Sequence, residues 1–244
     1  MVSLIKVENV TKVYESGEGQ VTALGGVSFE IEEGDFVALM GPSGSGKSTL
    51  LSILGALNPP TKGEVVIDGI PVYQLKPERR ADFRSAYIGF VFQQFQLIPY
   101  LTAIENVMLP LAILRYSHQE QLEKAKSVLE KVGLGNKCSR LPNQLSGGEQ
   151  ERVAIARAIV NEPPIILADE PTGSLDSKTG EEIMRLFQSL NREGLTIIMV
   201  THNVENLSYV KRALYMRDGL IDKIETNPGA LREGSGESLA FAGR

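Results

Sequence analysis

The residues with the most readable chemistry are Gly41, Pro42, Ser43, Gly44, Ser45, Gly46, Lys47, Ser48 and Thr49. Their pattern, G-x-x-x-x-G-K-[ST], gathers backbone N–H groups, an ammonium and a hydroxyl in one loop, which is the set needed to hold a chain of phosphates. Glycines let the loop turn its amides toward an anion, and a following helix adds the partial positive charge of its N-terminus. Lys47 is expected to reach the β- and γ-phosphates of a nucleotide, with the Ser48 hydroxyl on Mg²⁺. The plain alternative is a Gly/Ser turn joining a strand to a helix. Residue frequencies put the four fixed positions together by chance in roughly one chain of this length in a hundred. The flanks narrow the choice, because Phe36-Val-Ala-Leu-Met40 suits a buried strand and Leu50-Leu-Ser-Ile-Leu54 a helix.

Ligands of open parallel sheets bind beyond the carboxyl ends of the strands. Two further apolar runs end in polar residues of use to nucleotide hydrolysis: Ile165 to Ala168 leads into Asp169 and Glu170, and Thr196 to Thr201 into His202. Asp169 is suited to hold Mg²⁺, usually through water, and Glu170 to orient and polarise an attacking water. Alone, a carboxylate after a strand is more often a helix cap or a surface charge. In one chain with Lys47 and Ser48, the catalytic reading overtakes that one. His202 is placed to contact the γ-phosphate or the water, against the alternative of an exposed or structural histidine. Gln93, after Phe90-Val-Phe92, could sense the same Mg²⁺ or water, and residue type alone does not choose it over Gln94 or Gln96.

Leu145-Ser-Gly-Gly-Glu149 opens an apolar helix running to Val160. Ser146 and Glu149 form a capping box, while Gly147 and Gly148 bare N–H groups for a second anion. One nucleotide already has its phosphates held at 41–49. A second phosphate-binding helix is explained most simply by the nucleotide of another copy.

The elements that must position these groups follow from periodicity. Ser3 to Tyr14 and Val21 to Glu33 alternate as strands around a polar loop, Glu15 to Gln20. Glu64 to Val72 is a hairpin with Asp68-Gly69 at its turn, completing an antiparallel layer. Pro77 to Ala86 reads as a helix and Tyr87 to Phe92 as a strand. The stretch 93–162 has no strand pattern; its second helix opens on the capping box Ser117–Glu120, carries Leu122, Ala125, Leu129 and Val132, and closes at Gly133. A helix from Ser177 to Arg192, a strand from Thr196 and a hairpin around Asp218-Gly219 complete the core. The expected division is an α/β core over 1–92 and 163–226, an inserted helical subdomain over 93–162, and a mobile tail over 227–244.

With 244 residues and a net charge of −5, the chain has no general attraction for nucleic acid or an anionic membrane. Its single cysteine, Cys138, excludes an intrachain disulfide or a cysteine-based metal site. No apolar run approaches the ~20 residues of a membrane span, and the N-terminus alternates like a strand instead of resembling a signal peptide. The expectation is a soluble chain whose membrane span, if it works at a membrane, comes from another subunit.

GPSGSGKST, the FVFQQ turn, LSGGE followed by QERVAIARA, IILADEP, Ser174-Leu-Asp176 and His202 together resemble the Walker A, Q-loop, signature, Walker B, D-loop and switch-histidine motifs of ABC transporter ATPase subunits, in order and spacing, over about residues 4–224. The resemblance implies a P-loop NTPase (RecA-like) core and ATP with Mg²⁺ as ligands. It implies two copies head to tail, each ATP gripped by the 41–49 loop of one and by Ser146, Gly147, Gly148 and Glu149 of the other. By the same carry-over Glu170 is the general base, Gln93 the Q-loop glutamine and Asp176 a link between copies. Tyr14 matches the adenine-stacking aromatic, its alternative being an edge-strand aromatic. Ser52-Ile-Leu-Gly55 and the stretch from Leu97 to Val107 resemble the lipoprotein-release, macrolide-export and cell-division branch, whose subunits pair with a separate membrane permease. That implies a cytoplasmic protein peripheral on the inner face of the membrane, with no nucleic acid partner. Exposed Leu97, Ile98 and Tyr100 are candidates for the permease contact, unless they serve the subdomain's own core. A departure is Glu149 and Glu151, where this branch often has glutamines; both are expected to add negative charge near the ATP interface. A signalling ATPase acting on cell-wall enzymes through its membrane partner and a nucleic-acid-associated ABC ATPase are the competing readings.

Overall fold

The computed structural model describes residues 3–17 and 19–227. The chain opens with strands β1 (Ser3–Ser16), β2 (Gly19–Glu32) and β3 (Phe36–Met40), helix α1 (Lys47–Leu54), and strands β4 (Lys62–Ile67) and β5 (Ile70–Pro71). Helix α2 (Pro77–Tyr87) and strand β6 (Ile88–Val91) precede three helices, α3 (Ala103–Met108), α4 (His118–Lys131) and α5 (Gly147–Ile159). Strand β7 (Ile165–Asp169), helix α6 (Ser177–Arg192) and strands β8 (Thr196–Val200), β9 (Arg212–Arg217) and β10 (Leu220–Thr226) follow.

Two sheets form. One is antiparallel, in the order β2-β1-β4-β5; the other has the order β10-β9-β3-β8-β7-β6, with β9 to β6 parallel and β10 antiparallel at the edge. The side-chain period of two sorts the central strands into two cores. Phe36, Ala38, Ile166, Ala168, Ile197 and Met199 face a core shared with α3 to α6. Val37, Leu39, Ile165, Leu167, Ile198 and Val200 face one shared with α1 and the antiparallel sheet. Both faces are covered, which is why these strands read as unbroken apolar runs. Ser117 and Ser146 cap α4 and α5 in full capping boxes, Asp176 caps α6, and Gly133 and Gly194 follow α4 and α6 at φ 82 and 104. No helix among the described residues is long and apolar enough to cross a membrane.

Several expected boundaries move. The polar 15–20 loop is shorter than expected, because Glu15 and Ser16 still pair with Gln20 and Gly19. Helix α2 takes in Tyr87, whose ring stacks on Phe83, so β6 begins at Ile88. The second arm of the 64–72 hairpin stops at Pro71, which has no N–H to extend the ladder. Leu97 packs against the α3–α6 core and Ile98 is half-buried, whereas Tyr100 remains 77% exposed. The expected contact patch therefore keeps one of its three residues. Beyond Asn227, the expected tail lies outside the described residues.

Candidate functional site

Strands β3, β8 and β7 lie side by side and end at the same edge of the sheet. Met40, Val200 and Asp169 therefore deliver Gly41, His202 and Glu170 to one place. A cleft of about 400 Å³ opens there, lined by Gly41, Ser43, Gly44, Gly46, Lys47, Ser48 and Thr49, by Glu170 and His202, and by Val21, Thr22 and Ala23 of β2.

The loop is seated by close backbone approaches. A Cβ on Gly41 (φ 146) would lie 2.2 Å from the Met216 carbonyl oxygen, and one on Gly46 (φ 96) 2.4 Å from that of Ala23. Glycine is required at both. The Lys47 ammonium donates to the carbonyls of Gly41 (2.9 Å) and Pro42 (2.7 Å). Burial lowers its pKa, and the charges of Glu170 and Asp169 oppose the fall. Burial, then the adjacent Glu170 charge, raises the Asp169 carboxyl, while the Ser48 hydroxyl and Lys47 pull it down. Paired carboxylates that repel each other beside a hydroxyl fit a divalent cation, which would relieve that repulsion. No group of three or more His, Cys, Asp or Glu able to hold a metal occurs among the described residues, so phosphate or water oxygens must complete its shell.

Glu170 adopts a left-handed backbone (φ 47), with its N–H donating to the Val200 carbonyl at 3.0 Å. Such strain in a non-glycine residue concentrates at functional positions. The His202 Nδ1 lies 3.1 Å from Glu170 Oε2, with the imidazole two-thirds exposed and the carboxylate mostly covered. Asn206, buried, donates to the hydroxyls of Thr201 (3.0 Å) and Thr172 (3.1 Å), tying the turn before His202 to the turn after Glu170.

Other expected residues lie apart from the cleft. Tyr14 pairs across the β1–β2 ladder with Val21 at the cleft margin, and the Lys12 ammonium sits 5.0 Å from its ring centroid. Gln93 is exposed beyond β6, with β7 and β8 between β6 and the phosphate strand. Asp176 caps α6, taking hydrogen bonds from the Thr179 N–H (3.0 Å) and hydroxyl (2.6 Å), which lower its pKa. None of Ser146 to Glu149 lines the cleft of its own chain. The turn they form abuts α6 instead: a Cβ on Gly148 would meet Thr179 Cγ2 at 2.3 Å.

The two glutamates of that helix depart from expectation. Glu149 is ion-paired with Lys137 and accepts from the Ser146 N–H at 3.0 Å, and these contacts lower its pKa. Glu151 points inward and is 1% exposed, because its place on α5 faces the core, not solvent. The added surface charge expected from the pair is absent at Glu151 and compensated at Glu149.

Sequence reasoning missed Val21 to Ala23 and Asn206. The first had a weak signal in their nearness to Tyr14. Asn206 had none, since hydrogen bonds between separate turns leave no local pattern.

A protein-family model described as ABC transporter matches residues 24–173. An ABC transporter ATP-binding protein of Thermotoga maritima is 52% identical over 225 residues, covering 92% of this chain and 96% of that protein. The macrolide export ATP-binding/permease protein MacB of Syntrophobacter fumaroxidans is 50% identical over 222 residues, 90% of this chain but 31% of its own length. Among solved structures, the dimeric ATP-binding cassette MJ0796 of Methanocaldococcus jannaschii, bound to ADP and Pi, is similar with a TM-score of 0.84 and 49% identity, covering 91% of this chain and 98% of that one.

Proposed function

This chain belongs to the ABC transporter ATP-binding family, and from that premise we propose that two copies close head to tail on two ATP molecules to drive a separate membrane permease. The chain is an ATPase of the P-loop fold. The observation that carries the mechanistic reading is the Glu170–His202 pair, 3.1 Å apart, opening onto the same cleft as Lys47 and Ser48.

In this reading the loop amides and Lys47 hold the triphosphate, and Glu170 takes the proton of the attacking water. With Nδ1–H donating to Glu170, His202 fixes the carboxylate and leaves Nε2 to accept from an O–H of the attacking water. Ser48 and Asp169 would hold Mg²⁺, whose chemistry is to neutralise charge on the β- and γ-phosphates. Gln93 would join this set only after the segment following β6 moves inward. Tyr14 would stack on adenine at the Val21 margin. The Ser146–Glu149 turn, capped yet remote from its own cleft, would close the γ-phosphate of the second copy, with Asp176 near the seam.

The division into a core and an inserted helical subdomain is likewise our reading, supported by the all-helical 93–162 stretch packing through α5 against β6 and α6. Between the two runs an open groove of about 370 Å³ lined by Leu57, Phe90, Phe92, Pro110 and Ile113. Phe92 and Ile113 are 40% and 74% exposed, as suits the permease contact in place of Leu97 and Ile98. The MacB relative is an ATP-binding/permease protein of which this chain matches 31%, and export of macrolide, lipoprotein or peptide substrates from the cytoplasmic face fits best. The test is Glu170→Gln, which should retain ATP while turnover falls by about 10²- to 10⁴-fold; undiminished turnover would refute the assigned base. Ile113→Asp should abolish co-purification with a membrane protein and leave ATP binding intact, and retained co-purification would move the contact elsewhere.

A further inference from the structure

Asn206 is a buried amide that the hydrolysis reading does not use. It stands in the short 3₁₀ helix Val204–Tyr209, whose Leu207 is fully buried in the core shared with α3 to α6. An amide carries two N–H donors, and here they go to two hydroxyls: Nδ2 lies 3.0 Å from Thr201 Oγ1 and 3.1 Å from Thr172 Oγ1. Neither Asn206 nor either threonine lines the phosphate cleft. A buried amide is costly unless its hydrogen bonds are made, and an apolar side chain would fill the same place without that demand. What the amide adds is a fixed span between the two hydroxyls.

Each hydroxyl belongs to a turn that carries one member of the Glu170–His202 pair. On the His202 side, the Thr201 hydroxyl also accepts from the Asn203 N–H at 3.1 Å, closing the turn around the histidine. The Thr201 N–H donates to the Leu39 carbonyl of β3 at 3.2 Å, so this end is anchored on the strand that leads into the 41–49 loop. On the other side, Thr172 sits in the turn that the Gly173 N–H closes on the Glu170 carbonyl at 3.0 Å. Glu170 is held there at φ 47, a conformation that its surroundings must impose. The Val200 carbonyl restrains the residue from its N–H side, and the Thr172–Asn206 bond restrains the turn that follows it.

We propose that Asn206 is a positioning residue for hydrolysis: by spanning Thr172 and Thr201 it sets the approach of the Glu170 carboxylate to the His202 imidazole, and with it the aim of the carboxylate at the attacking water. The effect on turnover rests on the reading of Glu170 as the general base; the span is given by the contacts themselves. Asn206→Leu keeps a branched side chain in place and removes both bonds. Thr201 retains the Asn203 N–H and the half-buried Thr172 can turn to water, so the variant should fold and hold ATP.

The experiment compares single-turnover hydrolysis and ATP affinity in the full chain for wild type, Asn206→Leu, Thr172→Val, the double variant and Glu170→Gln. Each single variant at the span should hydrolyse about 10- to 100-fold more slowly with ATP affinity within about twofold of wild type. The double variant should be no slower than the slower single, because either change already breaks the span. Thr172→Val carries the test if Asn206→Leu folds poorly. The second readout is the ¹⁵N signal of the His202 imidazole in the ATP-free chain, with the exposed His118, the other of the two histidines, as reference. In both single variants the Nδ1 signal should leave its wild-type position and approach that of His118. A signal that stays in place overturns the proposal whatever the rates. Where Glu170→Gln is slow, span variants at the wild-type rate, or losses that multiply in the double variant, overturn it and leave the base assignment standing. A moved signal beside a Glu170→Gln chain at full turnover upholds the span and refutes the assigned base.

Discussion

At the scale of single residues, the proposed general base is read from what surrounds it. Glu170 is oriented by a strained backbone, an N–H tie to Val200 and the His202 imidazole, so removing the imidazole should slow turnover without removing ATP. We expect His202→Ala to bind ATP with near-normal affinity and to hydrolyse it at least about tenfold more slowly, as measured by single-turnover kinetics; a wild-type rate would reduce His202 to a surface residue. Glu151 gives a prediction about stability. Its pKa is raised in the folded state, so the folded chain binds the proton more tightly than the unfolded chain, and stability falls as pH rises from the ordinary carboxylate range to about 8. Urea denaturation should find Glu151→Gln near wild type at pH 5 and more stable above pH 8, the gap widening by at most roughly 1.4 kcal/mol per pH unit. A gap that does not vary with pH would contradict the buried, titrating carboxyl. The two glutamates mark the limit of sequence reading at this scale. Ser146–Glu149 was legible as a capping box because its contacts are local. The inward turn of Glu151 was not, because helical spacing alone does not say which polar residue faces a neighbouring element.

At the scale of elements, the cleft depends on how the two sheets meet. The β9–β10 turn wedges between them: Gly219 donates to the Ser45 carbonyl at 3.3 Å and accepts from the Gly25 N–H at 2.9 Å, while Gly41 lies against Met216. Gly41→Ala should push the phosphate loop off this turn, costing about 1–3 kcal/mol of stability and weakening ATP binding together. Loss of neither, in thermal melts with and without ATP, would mean that the approach is slack. The central strands were legible in the sequence because both faces are buried and every residue is apolar. The length of the β1–β2 ladder was not, since Glu15, Gln20 and their neighbours pair through backbone groups that no side-chain pattern reports. Leu97 stayed undecided for a related reason: an apolar residue in a loop suits a surface patch or a core equally until the α3–α6 core is seen to receive it.

At the scale of the whole molecule, the two features proposed to bind phosphate do not meet within one chain. The 41–49 loop lines its own cleft, and the capped Ser146–Glu149 turn lies outside it against α6. The solved structures of MJ0796 are dimeric cassettes, which agrees with these halves being completed by a second copy. The most direct measurement is the size of the Glu170→Gln chain, alone and combined with S146R, by sedimentation in ATP and Mg²⁺ with bound nucleotide counted. The single variant should run as a dimer holding one ATP per chain, and the double variant as a monomer that still holds its ATP in the 41–49 loop. A double variant that dimerises as well as the single one, or a single variant that stays monomeric while loaded with ATP, would contradict a nucleotide gripped between two copies.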